Sequence, residues 1–211
     1  MTFKLDLATW PRKEHFEFFS RFEEPFFGIV AAIDCTKAYA AAKQQGVSFY
    51  LYYLHKTLAA VNSTEAFKYR IKEGQVWVHD RVDVSSTVMR DDNTFGFSYM
   101  QYHEDLNTFI AGARAETERV RNTPGLFTRT FDMDNLIHFS ALPWVNFTSL
   151  SHARSFTFPD SCPKISVGKM MVDAAGARTM PVSVHVHHGL MDGYHVGLFF
   201  EALQQEMDGG R

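Results

Sequence analysis

The chain has 211 residues, 45% of them hydrophobic and 15% aromatic, and a formal net charge of −3. That is enough apolar material for one core without disulfides or metal, and the mixed charge offers neither a basic footprint for nucleic acid nor a polybasic patch for a membrane. Its two cysteines, Cys35 and Cys162, are too few and too far apart for a metal quartet or a disulfide framework, which fits a reducing cytoplasm. The opening residues lack a charged-then-apolar signal pattern, and no apolar run approaches the roughly 20 residues that span a bilayer. Without repeats or a Pro/Ser-rich linker, residues 1–211 read as a single domain.

In chain order, residues 10–22 carry apolar positions at helical spacing, 27–33 form a strand candidate, and alanine-rich 37–45 read as a helix that Gly46 breaks. The next helix covers 48–61, with aromatic residues suited to packing. Residues 67–71 and 75–79 form a strand pair around the turn at 72–74; 84–89 and 95–99 read as further strands, and 104–121 as a long amphipathic helix. Strands at 135–139 and 145–149 bracket Ser140-Ala141-Leu142-Pro143-Trp144, whose proline interrupts pairing and exposes the serine. This mixture without strict βαβ alternation is expected to give an α/β or α+β domain with a mixed sheet.

The most informative stretch is Val182-Ser183-Val184-His185-Val186-His187-His188-Gly189-Leu190-Met191-Asp192-Gly193. The alternation puts the valines on one face of a strand and Ser183, His185 and His187 on the other, while His188 continues the valine parity. A side chain ending an apolar face is partly desolvated, which favours the neutral imidazole that a general base needs. Val196, Phe199, Phe200, Leu203 and Met207 then recur at helical spacing, so His188 sits where a strand meets a helix. His185 and His187 share a face in a pattern that could ligate zinc, but no third ligand has suitable spacing, so no metal is expected. His195, one turn into the helix, is expected to pack or cap.

These residues carry a resemblance to a known family. The His-His-x-x-x-Asp-Gly signature, Trp10 to Phe18, Ser140-Ala141-Leu142-Pro143-Trp144-Val145-Asn146-Phe147, Ser166-Val167-Gly168-Lys169 and Gln204-Gln205 together resemble the chloramphenicol acetyltransferase family of CoA-dependent acyltransferases. The resemblance implies a two-layer sandwich assembling as a homotrimer, with acetyl-CoA as co-substrate, no metal and no covalent acyl-enzyme. His188 would deprotonate the acceptor hydroxyl through one ring nitrogen while a backbone carbonyl holds the other. Ser140 would donate to the tetrahedral oxyanion, and Asp192 would pair with Arg12 in a positioning role. Trp144, Ser166 and Lys169 match the carrier slot and its water-holding hydroxyl; Ser166 stands where relatives usually have threonine.

For the acceptor, Phe19 stands where some relatives have tyrosine, and Phe95 and Phe97 match or neighbour an aromatic pocket wall. Chloramphenicol is the leading acceptor, with another small alcohol as the alternative. Two further readings compete: the catalytic core of a dihydrolipoyl acyltransferase, which normally brings a lipoyl domain and linker, and a non-catalytic trimeric binder of aromatic compounds.

Overall fold

The computed structural model describes residues 2–155 and 160–209. Its elements are β1 (Phe3–Lys4), α1 (Lys13–Phe19), β2 (Phe26–Asp34), α2 (Thr36–Gln44), α3 (Phe49–Ser63), a 3-10 turn (Glu65–Lys68), β3 (Tyr69–Lys72), β4 (Gln75–Val78), β5 (Asp83–Met89), β6 (Phe95–Phe97), α4 (Leu106–Arg121), β7 (Leu136–Ala141), β8 (Lys164–Val167), β9 (Met171–Val172), β10 (Arg178–His187) and α5 (Gly193–Met207). The chain has an α/β fold with a mixed main sheet. Strands run in the order β2-β10-β8-β7-β5-β6, with β9 added to β10, while β1, β4 and β3 make a small second sheet. Within the main sheet β7 is parallel to both β5 and β8, and the remaining pairs are antiparallel.

Alternation decides which face of the main sheet is buried. Val84 on β5, Ile137 and Phe139 on β7, Ile165 and Val167 on β8, and Val182, Val184 and Val186 on β10 all join one core with α2, α3, α4 and α5. Phe139 meets the rings of Tyr50 and Tyr53 on α3, and Phe67 stacks on Phe199 of α5 at 4.6 Å. Fully burying side chains of this size stabilises by about 1.5–3 kcal/mol each. The opposite face carries the alternate residues, among them Ser140, Lys164, Ser166, Ser183 and His185, and faces away from the helices.

Local chemistry explains several element ends. Asp105 caps α4 by accepting from the Thr108 amide at 2.8 Å. Between β3 and β4 both central turn residues have positive φ, Glu73 at 53° and Gly74 at 69°, the twist a two-residue hairpin needs. The structure also corrects the sequence reading. Residues 145–149 are not a strand: past Pro143 the chain leaves the sheet, the Val145 amide donates back to the Leu142 carbonyl at 3.2 Å, and β8 takes the neighbouring place beside β7. The first helix spans only Lys13–Phe19, shorter than its apolar spacing, because Pro11-Arg12 before it and Ser20-Arg21 after it are turns. Among the described residues no helix is long and apolar enough to cross a membrane.

Gly28 on β2 lies opposite His185, and a Cβ there would stand 2.3 Å from the His185 Nε2. Gly28→Ala is therefore expected to destabilise the fold by about 1–3 kcal/mol through overpacking. Urea denaturation checks this; an unchanged midpoint contradicts the tight strand-to-imidazole contact.

Candidate active site

Strand β10 delivers His187 and His188 to the turn that precedes α5. Four contacts pin the backbone and ring of His188. Its amide donates to the Pro25 carbonyl at 2.8 Å, and its carbonyl accepts from an Arg12 guanidinium nitrogen at 3.3 Å. Its ring stacks on Phe19 at 3.8 Å with only 7° between planes, and Phe27 lies at 4.6 Å. The Nδ1 atom is buried with no hydrogen-bond partner among the described residues. The backbone-carbonyl bond to that nitrogen implied by the resemblance is not found among the described residues, where the Phe19 and Phe27 rings flank the imidazole.

Arg12 and Asp192 meet as the resemblance implied. The guanidinium donates to the carboxylate at 2.5 Å, while the other Asp192 oxygen accepts from the Tyr194 amide at 3.0 Å and so caps α5. His195 completes the cap, its Nδ1 lying 2.8 Å from the carboxylate. Partial burial opposes ionisation of Asp192, but the His195 bond and the Arg12 pair override it and hold the carboxyl down at about 2. Neighbouring His187 accepts from the Gly189 amide at 3.1 Å, and burial, reinforced by Arg154, pushes its pKa down to about 4.

The remaining candidates lie elsewhere. Ser140 is half-buried near the end of β7, in register with Ser166 on β8, which pairs in turn with Ser183 on β10. Ser166 is 1% exposed and its hydroxyl has no partner among the described residues. Trp144 is 67% exposed, which removes a plain core role for it. Exposed Lys169 lies beside it, its amide donating to the Val145 carbonyl at 2.8 Å. Phe95 and Phe97, 5.6 Å apart, occupy β6, and Phe97 also meets exposed Phe127 at 5.3 Å.

Register shows how far these groups stand from His188. Ser183 pairs with Ser166, and His188 lies five residues further along the chain, just past the end of β10. At about 3.3 Å per residue this is roughly 16 Å along the strand, with β7 two strand spacings of about 4.8 Å to the side. Within one chain, therefore, His188, Phe19, Arg12 and Asp192 form one cluster, and Ser140, Ser166, Trp144 and Lys169 form another. The cavity of about 280 Å³ beside the first cluster is lined by Phe16, Ser20, Pro25 and His187, without Ser140.

Sequence reasoning missed the polar row next to Ser140. His138, Lys164 and His185 pair in register across β7, β8 and β10. Periodicity marks His185 as outward-facing, but nothing in the sequence aligns it with His138, since that depends on long-range register. His185 is engaged by the His152 ring at 4.8 Å and by Ser183 at 3.2 Å, and the structure does not bring it together with His187 as a ligand pair.

Two stability predictions arise here. Removing Arg12 leaves a carboxylate one-third exposed without its main partner, so Arg12→Ala should cost about 1–3 kcal/mol, between the values for surface and buried pairs. The contribution of Asp192 is present above its unfolded pKa of about 3.9 and is lost as pH falls through 2. His187 and His152, both at about 4, act at higher pH. The unfolded chain takes up their protons first, so stability should fall from pH near 6.5 down to 4. Melting temperature against pH reads both windows, and His187→Gln should flatten the upper one.

Comparison with known proteins covers nearly the whole chain. The family model described as chloramphenicol acetyltransferase covers residues 1–204. A chloramphenicol acetyltransferase of Proteus mirabilis is 30% identical over 98% of this chain and 94% of its own length. Chloramphenicol acetyltransferase 3 of Escherichia coli is 32% identical over 96% and 95%. A solved structure of a chloramphenicol acetyltransferase superposes with a TM-score of 0.88 at 30% identity, covering 98% of this chain and 100% of that one. The cubic core of a pyruvate dehydrogenase complex, 15% identical with a TM-score of 0.65, shares the fold alone. With its signature turn, its Arg12–Asp192 pair and its full-length matches, this chain belongs to the chloramphenicol acetyltransferase family.

Proposed function

We propose that the protein, acting as one acyltransferase domain over residues 1–211, transfers the acetyl group of acetyl-CoA to a hydroxyl of a small alcohol, with chloramphenicol the leading acceptor. The observation that carries this reading is the pinned His188 imidazole, stacked on Phe19 with its carbonyl held by Arg12, in a chain of this family. His188 takes the proton of the acceptor hydroxyl as its oxygen attacks the thioester carbonyl. Ser140 donates to the oxyanion that forms there. The tetrahedral intermediate then collapses: the carbon–sulfur bond breaks, and the departing sulfur recovers the proton from His188. Asp192 and Arg12 are positioning residues, holding the turn that carries the base.

The separation between His188 and Ser140 supports a site built between protomers of a homotrimer. Strand β2 supports the same assembly: it is a nine-residue edge strand, Phe26–Asp34, with no charge before its last residue and no proline. Natural proteins rarely leave such an edge open. Phe18 and Phe22, 58% and 46% exposed beside the His188 cluster, add apolar surface for a neighbour to cover. Trp144 and Lys169 lie at one rim, suited to an apolar contact with the carrier's pantetheine arm and a charge contact with its phosphates, and the Ser166 hydroxyl, without a partner among the described residues, suits a bound water. Phe19 and the Phe95–Phe97 pair offer planar apolar walls to an acceptor.

Release of free CoA thiol from acetyl-CoA, dependent on chloramphenicol or another alcohol, tests the reaction. His188→Ala should abolish it, and Ser140→Ala should lower kcat about 10²-fold to 10³-fold with acceptor affinity nearly unchanged. Co-refolding these two impaired variants in equal amounts should restore about one quarter of the wild-type rate, the fraction of interfaces in a random mixture that pair an intact His188 with an intact Ser140. No recovery on mixing would remove the shared site.

A further inference from the structure

Outside the proposed site, charged and titratable side chains from separate parts of the chain converge on the half-buried thiol of Cys162, just before β8. They are Arg70 on β3, His138 on β7, Lys164 on β8 and Asp160 ahead of it. The Cys162 S–H donates to the Leu136 carbonyl at 3.0 Å, and the Arg70 Nη2 donates to the same oxygen at 2.5 Å. Sulfur and guanidinium therefore flank one acceptor, close enough for their charges to act on each other. His138 hydrogen-bonds with the thiol, and its own amide is anchored to the Pro163 carbonyl at 2.9 Å. The Lys164 ammonium is already engaged by Asp160 at 2.5 Å, the Cys162 carbonyl at 3.3 Å and the Phe26 ring at 5.1 Å. It lends the sulfur its charge and no hydrogen bond.

Arg70 supplies the second, independent observation. It is 2% exposed and permanently charged, yet its four hydrogen bonds among the described residues all go to backbone carbonyls, those of Phe67, Tyr69, Asp134 and Leu136. A guanidinium has five N–H donors, so one on the Nη2 beside the sulfur stays uncommitted. A buried cation needs a countercharge. Burial works against the Arg70 charge, and Cys162 comes first among the groups that support it, ahead of Asp134 and Asp160. Burial likewise opposes ionisation of Cys162, but the charge and hydrogen bond of His138, with the charges of Arg70 and Lys164, override it and draw the thiol down. Cys35 is the contrast: fully buried beside Asp34, it is pushed up to about 11.

We infer that Cys162 is a site of reversible covalent modification, a nucleophilic thiolate paired with His138 that exchanges with small anionic disulfides. The exposed His138 side marks the approach from solvent. The Cys162 sulfur attacks one sulfur of the disulfide; a new S–S bond forms as the old one breaks, and the departing thiolate carries away the electron pair. Cys162 is oxidised, the leaving sulfur is reduced, and no third reactant is needed. Anionic disulfides are favoured because Arg70, His138 and Lys164 outnumber Asp160, whose carboxylate is already held by Lys164 and by the Cys162 amide at 2.8 Å.

The test treats the full-length folded protein with iodoacetamide across a pH series and locates the adduct by peptide mass spectrometry. Cys162 is expected to react and Cys35 to stay unmodified. The midpoint of the pH–rate curve should lie at least about one unit below the roughly 8.5 of a free thiol. His138→Gln, at an exposed position that leaves the fold intact, should raise that midpoint by about one unit. Dithiodipropionate and cystamine, an anionic and a cationic disulfide, are then compared, each rate divided by that with free N-acetylcysteine amide. Dithiodipropionate should react at least about 5-fold faster, and dithiothreitol should remove the adduct. A midpoint at that of a free thiol, a midpoint unmoved by His138→Gln, no modification of Cys162 in the folded protein, or cystamine reacting as fast as dithiodipropionate overturns the inference.

Discussion

The Arg12–Asp192 pair joins the beginning of the chain to its end, and the geometry around His188 depends on it. One guanidinium nitrogen binds the carboxylate that caps α5, and the other binds the carbonyl of His188 itself. A single side chain thus fixes α1, the β10 terminus and the start of α5 relative to one another. Because α1 is held there, Phe19 at its end lies flat against the His188 ring. The charges and the stacked ring act as one device: ion pair and cap set the backbone of the turn, and aromatic contact sets the plane of the imidazole. Two elements far apart in sequence supply the rigidity that a reacting group requires.

The main sheet contributes a constraint of a different kind. Its valine, isoleucine and phenylalanine face is closed by helices, whereas the other face carries serines, histidines and a buried lysine. Antiparallel pairing of β10 with β8 sends His188 to one end of that sheet and leaves Ser140 and Ser166 toward the other. Strand register is rigid, since a slip of one residue would turn the whole apolar set of β10 outward. The proposed base and the proposed oxyanion donor consequently cannot approach each other by local adjustment. The exposed apolar edge at β2 and the phenylalanines of α1 lie at the His188 end, and the aromatic patch of β6 lies at the far edge. In the proposed assembly these two unlike surfaces would meet head to tail around a symmetry axis.

Much of this was legible in the residues. Strict alternation from Val182 to His187 and the helical spacing from Val196 onward located a strand-to-helix junction, and the signature there led to His188, Arg12 and Asp192. Residues 145–149 suit a strand by composition but stand outside the sheet, because Pro143 has already turned the chain away from it. Strand β8 is only four residues long and buried on both sides, so it carries little periodic signal of its own. The Arg12–Asp192 contact, 180 positions apart, was accessible only through the resemblance.

By itself, then, the sequence determined which residues face a core, where the strand bearing His188 ends, and to which family the signature belongs, because side-chain periodicity and turn chemistry act over a few neighbouring positions. Tertiary structure alone decided that His188 rests on Phe19 with a ring nitrogen that no described residue partners, that His138, Lys164 and His185 form one row beside Ser140, and that the two candidate clusters stand apart. Those facts come from strand order and register, which bring residues from distant parts of the chain into line and which no local pattern encodes.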